Sequence, residues 1–512
     1  MPRLSHLISA SAMQGQRNSL YLVTVLISLL LSWFAFSFGE LPNRDTYAYL
    51  RTAELAISNG IGSAYEHYAW AHFSILIAAL SQISGISLML SAQIIMSLLF
   101  ALLSVAFVNL VSMQTHSRRI AWLALLVICC FPLLNEFRGY VVRDVGFLAF
   151  MLFGLVQLIH YKQSLWLRHG LLFCLFVLLA FLFRPEAILY FIFLPTALLL
   201  PGSLQEGHRR AAYLRLTGMM LILGIVLALL SSLALQISIG EQFIRFASIY
   251  QPFLQSLANV FNPEPAVANA MFGEYGAQFV GDYASIFMLT GLLAMTLACI
   301  IDSLGLVVAP LLGYSIWKRR VHLPKDARSI LLSNIIIASV ILVAFAILTR
   351  FLTTRYTLLL CILLLVYIPF TLDSIWRQSI AQDKKKRFYG IAGFLLLYCA
   401  LDAHVSFGGQ KHHLYDGSTW VQQYTRAEAP LITNEVLIAF ESGRIEHYDQ
   451  TPQRILPQQL RSAPLGSIIA VTPDDELVPV LEAEIDRGGL RLLQRFEADR
   501  GADLLILEKE LN

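Results

Sequence analysis

Apolar runs long enough to cross a bilayer recur along most of this chain, and no other feature limits its fold so strongly. They fall at about 19–38, 87–112, 120–134, 144–160, 169–184, 186–201, 216–238, 303–317, 329–349, 355–372 and 388–403. A spanning helix needs about 20 apolar residues, and in hydrocarbon a helix satisfies every backbone polar group internally. The chain is 57% hydrophobic and only 14% charged, with mean hydropathy +0.64, against about 25% charged for a soluble domain. The expectation is an α-helical polytopic membrane protein of about 11 transmembrane helices. Residues 1–18 are polar and no cleavable signal is evident.

The lysines of the first 410 residues are Lys162, Lys318, Lys325, Lys384, Lys385 and Lys386. With the N-terminus inside, all fall on the cytoplasmic face if the apolar segments 69–84 and 284–300 are left out of the count, as the positive-inside rule requires. So do Arg118–Arg119, Arg209–Arg210 and Arg319–Arg320. Segments 69–84 and 284–300 are therefore expected as interfacial helices on the outer face. The expected location is the inner (plasma) membrane, multi-pass, N-terminus cytoplasmic.

On the outer face no lysine of this region accompanies Arg44, Arg51, Arg138, Arg143, Arg184, Arg245, Arg350 and Arg355. Guanidinium is planar and weakly hydrated and can bind phosphate through two parallel hydrogen bonds. The alternative role for each of these arginines is snorkelling to lipid headgroups. The six cysteines all lie in apolar runs without CxxC spacing, so a thiolate metal site is not expected.

The first outer loop, 39–85, contains "RDTYAYLRTAELAISNGIG" (44–62), an amphipathic helix with Asp45 as candidate N-cap and a stop at Asn59–Gly60. Asp45 is either that cap or a carboxylate held where a lipid-borne substrate meets a water-borne acceptor. The next outer loop, "LNEFRGYVVRDVGFL" (134–148), holds Glu136, Arg138, Arg143 and Asp144 beside hydrocarbon, a costly placement unless they are paired or used. A surface Arg143–Asp144 pair would contribute only ~0–1 kcal/mol. "FRPEA" (183–187) breaks two short apolar runs and presents Arg184 and Glu186; a proline turn accounts for it equally. The long outer loop 239–283, with Glu241, Glu264, Glu274 and Asp282, has the length of a lid. In "TRFLTTRYTLLL" (349–360), Arg350 and Arg355 flank a short turn and Tyr356 follows; two guanidinium groups fixed there could grip a lipid phosphate.

From residue 410 the composition turns polar. "APLITN" (429–434), "GSIIAVT" (466–472) and "ADLLILE" (502–508) read as strands and "DDELVPVLEAEIDRGG" (474–489) as a helix. The division expected is a transmembrane catalytic domain at 1–409 and a periplasmic or extracellular α/β domain at 410–512.

In this layout the chain resembles the GT-C superfamily of polytopic glycosyltransferases, which use polyprenyl-phosphate-linked sugars. "NRDTYAYL" resembles the family's first acidic loop through Asp45, and "RGYVVRDVGFL" its second through Asp144. "AFLFRPEAI" (180–188) is similar to the short fifth and sixth spans, "RFLTTRYTLLL" to the arginine–tyrosine segment, and "APLITNEVLIAFESGR" (429–444) to the start of the outer domain. The first loop has one acid where many members show a pair. No WWD-type motif is present, so transfer to asparagine is not expected.

The resemblance implies an inverting transfer of sugar from a polyprenyl-phosphate donor to a hydroxyl on a glycan, lipid or protein acceptor. Asp45 would be the general base, with Asp144 as its catalytic partner. Arg350, Arg355 and Tyr356, with Arg138 or Arg143, would bind the donor phosphate. Arg44, Glu136, Arg184 and Glu186 would line the substrate. Asp45 and Asp144 permit a divalent cation (Mg or Mn) without requiring one. Membrane lipids are expected partners and nucleic acid is not. The nearest alternative is a polysaccharide polymerase or O-antigen ligase; a lipid or solute transporter would instead place charge at mid-membrane.

Overall fold

The computed structural model describes residues 2–38, 42–235, 265–405 and 411–510, with isolated positions between 240 and 257. The first half of the 239–283 loop, with Glu241, Arg245 and Glu264, lies outside the described residues. The contacts divide the chain into two units. One comprises Met1–Leu29, Leu99–Glu136 and Asp144–His404; the other comprises Leu30–Leu98, Phe137–Arg143 and Val405–Asn512.

The first unit is helical. Among the described residues six helices of the chain are long and apolar enough to cross a membrane, or up to eight if each of two bent pairs is one span. The chain is thus a multi-pass membrane protein by length and composition. Three further apolar helices are shorter: His72–Ser84, Leu167–Phe183 and Ala187–Leu199.

The run expected at 120–134 is two helices, Arg118–Cys129 and Pro132–Gly139, meeting at 52°; Thr354–Leu365 and Ile368–Ala381 meet at 41°. In both pairs a proline, Pro132 or Pro369, stands in the first turn of the second helix, where its missing N–H costs nothing. The segment 284–300 lies in the first part of Ala284–Trp317, which is two helices meeting at a kink at Gly305, whose φ of 69° suits glycine and few other residues.

Helices Asp144–Ser164 and Leu167–Phe183 form a tight hairpin. Gly154 lets Val177 and Phe173 approach its backbone, a Cβ there lying 3.3 Å from Val177, as small residues do in membrane helix pairs. Lys162, at the far end of the hairpin, is fully buried. Its ammonium donates to the carbonyls of Ala197 and Leu200 and to Ser329 Oγ, which satisfies its three protons.

The second unit contains a four-stranded sheet: β1 (Leu431–Thr433), β2 (Ile468–Val471), β3 (Leu490–Phe496) and β4 (Leu504–Lys509), in the order β1-β2-β4-β3. β1 and β2 are parallel and the other pairs antiparallel. Central strand β2 is buried along its length. Ile468 and Ala470 enter one core with Leu504 and Ile506; Ile469 and Val471 enter the other with Leu507, as the two-residue period of a strand dictates.

Helix Arg44–Ser58 belongs to this unit, and Tyr47 lies in the first of these cores, its ring 5.4 Å from that of Phe440. Arg44 donates to the Thr451 carbonyl, Arg51 bridges Glu54 and Glu446, and His67 meets Asp449 at 3.0 Å.

Helix His412–Tyr424 packs on the sheet through buried Gly417, where an added Cβ would overlap the Leu504 side chain. Gly417→Ala is therefore expected to destabilise the unit by about 1–3 kcal/mol, read as a lower unfolding temperature at unchanged secondary structure.

Candidate active site

Three helix ends of the first unit bring together five of the expected residues, Asp144, Arg184, Glu186, Arg355 and Tyr356. Asp144 opens helix Asp144–Ser164, where an acid suits the helix dipole. Arg184 is the C-cap of Leu167–Phe183, where a cation suits it equally. Arg355 occupies the first turn of Thr354–Leu365, where its own helix disfavours a positive charge. It needs a compensating anion, and Asp144 provides one.

Asp144 is 3% exposed. Its Oδ2 accepts from Arg355 Nε at 2.7 Å and lies 2.6 Å from the Arg355 Nη2. Its Oδ1 accepts from Arg184. Arg184 also donates from Nε to Glu186 Oε2 at 3.2 Å and from Nη2 to Oε1 at 2.5 Å. The guanidinium carbon of Arg184 stands 5.2 Å from the centre of the Tyr356 ring. Tyr356 in turn packs on Phe345 with centroids 4.4 Å apart. Phe147 and Tyr190 complete the wall of a cavity of about 60 Å³ around Arg184, Glu186 and Tyr356.

Burial by itself would lower Arg184, but Glu186 and Asp144 beside it raise it above its ordinary value. Burial would raise Glu186, but Arg184 outweighs that and holds the carboxyl below 4.5. A carboxyl depressed in the folded state adds stability that is present above its unfolded pKa and lost as pH falls through the folded one. The margin by which the protein outlasts Glu186→Gln on heating should accordingly hold at neutral pH and close as pH falls below 4.5.

Arg350 is exposed and is the C-cap of Lys325–Thr349, in a left-handed conformation with φ 55°. Glu136 lines a cavity of about 380 Å³ with Asp302, Thr354 and Asp402. In the second unit, Arg138 is fully buried and donates to Ser32 Oγ at 2.9 Å, and the Arg143 guanidinium lies 5.5 Å from the Tyr68 ring centre. Arg44 is engaged with Thr451, as above.

Asp45 is half-buried in the first turn of its helix. The N-cap position is held by Asn43, whose side chain makes no capping hydrogen bond and whose carbonyl accepts from the Thr46 N–H at 2.9 Å, so Asp45 is not the N-cap. His72, beside Tyr65 and Trp70, is lowered by burial and by the Arg143 charge; no pattern in the sequence singles it out.

Among the described residues no group of three or more His, Cys, Asp or Glu side chains is arranged to hold a metal ion. Both oxygens of Asp144 accept from guanidinium groups, which offset its charge.

No family model and no curated protein matches the chain. Solved structures do. The apo oligosaccharyltransferase of Archaeoglobus fulgidus is similar at TM-score 0.46 and 14% identity, over 80% of this chain and 58% of that one. AglB of the same organism, in complex with an inhibitory peptide and a dolichol-phosphate, gives 0.45 and 13%, over 86% and 64%. Apo ArnT from Cupriavidus metallidurans gives 0.36 and 12%, over 98% of each chain. The chain spans about three-fifths of the archaeal proteins' length. At these scores the similarity to the oligosaccharyltransferase and to ArnT is one of layout alone.

Proposed function

We propose that the protein is an inverting glycosyltransferase that moves a sugar from a polyprenyl-phosphate donor to an acceptor hydroxyl on the outer, periplasmic face of the membrane. The observation that carries the reading is the buried Asp144 carboxylate holding two guanidinium groups from two other helix ends. Fixed cations at a membrane boundary suit a leaving phosphate, which needs charge stabilisation rather than a strong acid. Holding them beforehand avoids reorganisation during the reaction.

In this mechanism the acceptor oxygen bonds to the anomeric carbon as the bond from that carbon to the phosphate oxygen breaks. The acceptor proton passes to the Asp45 carboxylate. The lipid phosphate leaves as an anion stabilised by Arg355, with Arg184 and the exposed Arg350 contributing charge. Tyr356 packs against Arg184, and Asp144 and Glu186 act by orienting the arginines. No step passes through a metal.

Comparing lipid-linked sugars and surface glycans in cells with and without the gene tests the activity. Accumulation of one lipid-linked sugar with loss of one glycan modification supports it, and unchanged profiles refute it. Within the enzyme, Arg355→Lys should raise the donor KM or lower turnover by roughly tenfold or more, because lysine cannot bind two oxygens through a planar fork. Arg51→Lys, in a partly exposed bridge to Glu446, should change turnover less than about twofold. Equal effects in a donor-titration assay would return Arg355 to a lipid-snorkelling role.

A further inference from the structure

A second cavity of the first unit has no part in this chemistry. It is an apolar groove of about 590 Å³ among helices Arg118–Cys129, Ala284–Trp317, Ile368–Ala381 and Lys385–His404. Leu126, Phe131, Leu311, Leu372, Ile391 and Leu396 form much of its wall, and Lys384 and Arg387 stand at one end. Leu126, Ile391 and Leu396 are exposed although apolar. Gly393 lines the groove and a Cβ there would meet nothing within 4 Å, so the wall is recessed at that point.

The two ends differ in charge. Lys384 and Arg387 belong to the run 384–387, which is entirely cationic, and among the described residues neither is in an ion pair. The other end shares Val307, Val308 and Cys399 with the cavity lined by Glu136, Asp302 and Asp402. An anion is attracted to the first end and repelled from the second. From Arg387 to Cys399 the helix rises about 18 Å, close to half of a hydrocarbon core of about 30 Å. The groove therefore matches the depth of one leaflet, with its cationic end on the side that the lysine distribution assigns to the cytoplasm.

We propose that this groove binds one anionic glycerophospholipid, its headgroup phosphate on Lys384 and Arg387 and an acyl chain along the apolar wall. The site is separate from the Asp144 cluster and does not depend on the glycosyltransferase reading.

The test uses the full chain in nanodiscs of equimolar phosphatidylglycerol and phosphatidylcholine, with retained lipid identified by native mass spectrometry after extraction. The wild-type protein should retain phosphatidylglycerol over phosphatidylcholine by roughly thirtyfold, the scale expected of two cations near a membrane surface. Gly393→Trp fills the recess without altering charge and should abolish retention of both lipids. Lys384→Ala/Arg387→Ala removes exposed cations that the fold does not need, and should bring the ratio near one. No preference in the wild type, wild-type retention in Gly393→Trp, or an unchanged ratio in the double variant would overturn the proposal. The last readout stands even if the tryptophan variant fails to fold.

Discussion

Asp45→Asn is expected to lower turnover by roughly 10²- to 10⁴-fold, the contribution usual for a positioned general base, while the chain folds as before. Asparagine keeps the shape of the side chain and cannot accept the acceptor proton. The stability cost should be small for a structural reason. Asn43, not Asp45, occupies the N-cap, so the start of helix Arg44–Ser58 does not hang on the carboxylate. Asp45 also gives the helix a first-turn charge worth about 0.3–1 kcal/mol. The helix is anchored independently by Tyr47 in the core and by Arg44 on the Thr451 carbonyl. Two measurements decide the matter: kcat in a reconstituted glycosyl-transfer assay and the unfolding temperature of the same preparation. Near-normal kcat at an unchanged unfolding temperature would remove Asp45 from the role of base.

The helical, membrane-spanning character of the chain was legible because run length and backbone hydrogen bonding leave few alternatives. The strands 429–434, 466–472 and 502–508 were legible because a half-buried or fully buried strand concentrates β-branched and apolar residues, as Ile468–Val471 does. Strand β3, Leu490–Phe496, was not. It lies at the sheet edge with Arg491, Gln494 and Arg495 exposed, and a register shift between Leu492 and Gln494 interrupts its alternation.

Site residues followed a similar rule. That Asp144, Arg184 and Arg355 are charged beside hydrocarbon could be read from the sequence; that one carboxylate holds both arginines could not. Its partners lie 40 and 211 positions away, and pattern within a window carries no information over such distances. Arg184 in particular looked like an ordinary turn residue next to Pro185. Only the packing of Leu167–Phe183 against Asp144–Ser164 brings its guanidinium to the carboxylate.

Asp144→Asn is expected to cost both stability and activity, and the two losses can be separated. Removing one member of a fully buried ion pair costs about 3–5 kcal/mol, because the partner charge is left in a poorly solvated place. Here Arg184 keeps Glu186, and the Arg355 side chain is 25% exposed, so water screens part of the charge that loses this carboxylate. A loss of about 2–3 kcal/mol is expected on those grounds. Glu206→Gln, in a pair whose side chains are 73% and 71% exposed, should lose no more than about 1 kcal/mol under the same conditions. If Asp144→Asn costs no more than Glu206→Gln, the carboxylate is not holding the arginines as described. Adding Arg355→Gln to Asp144→Asn removes one of the two cations that lose this carboxylate and should recover part of the stability, since two groups in contact are coupled rather than additive. It should not recover turnover, because the cation assigned to the leaving phosphate is gone. Recovery of both would mean that Asp144 and Arg355 serve the fold alone.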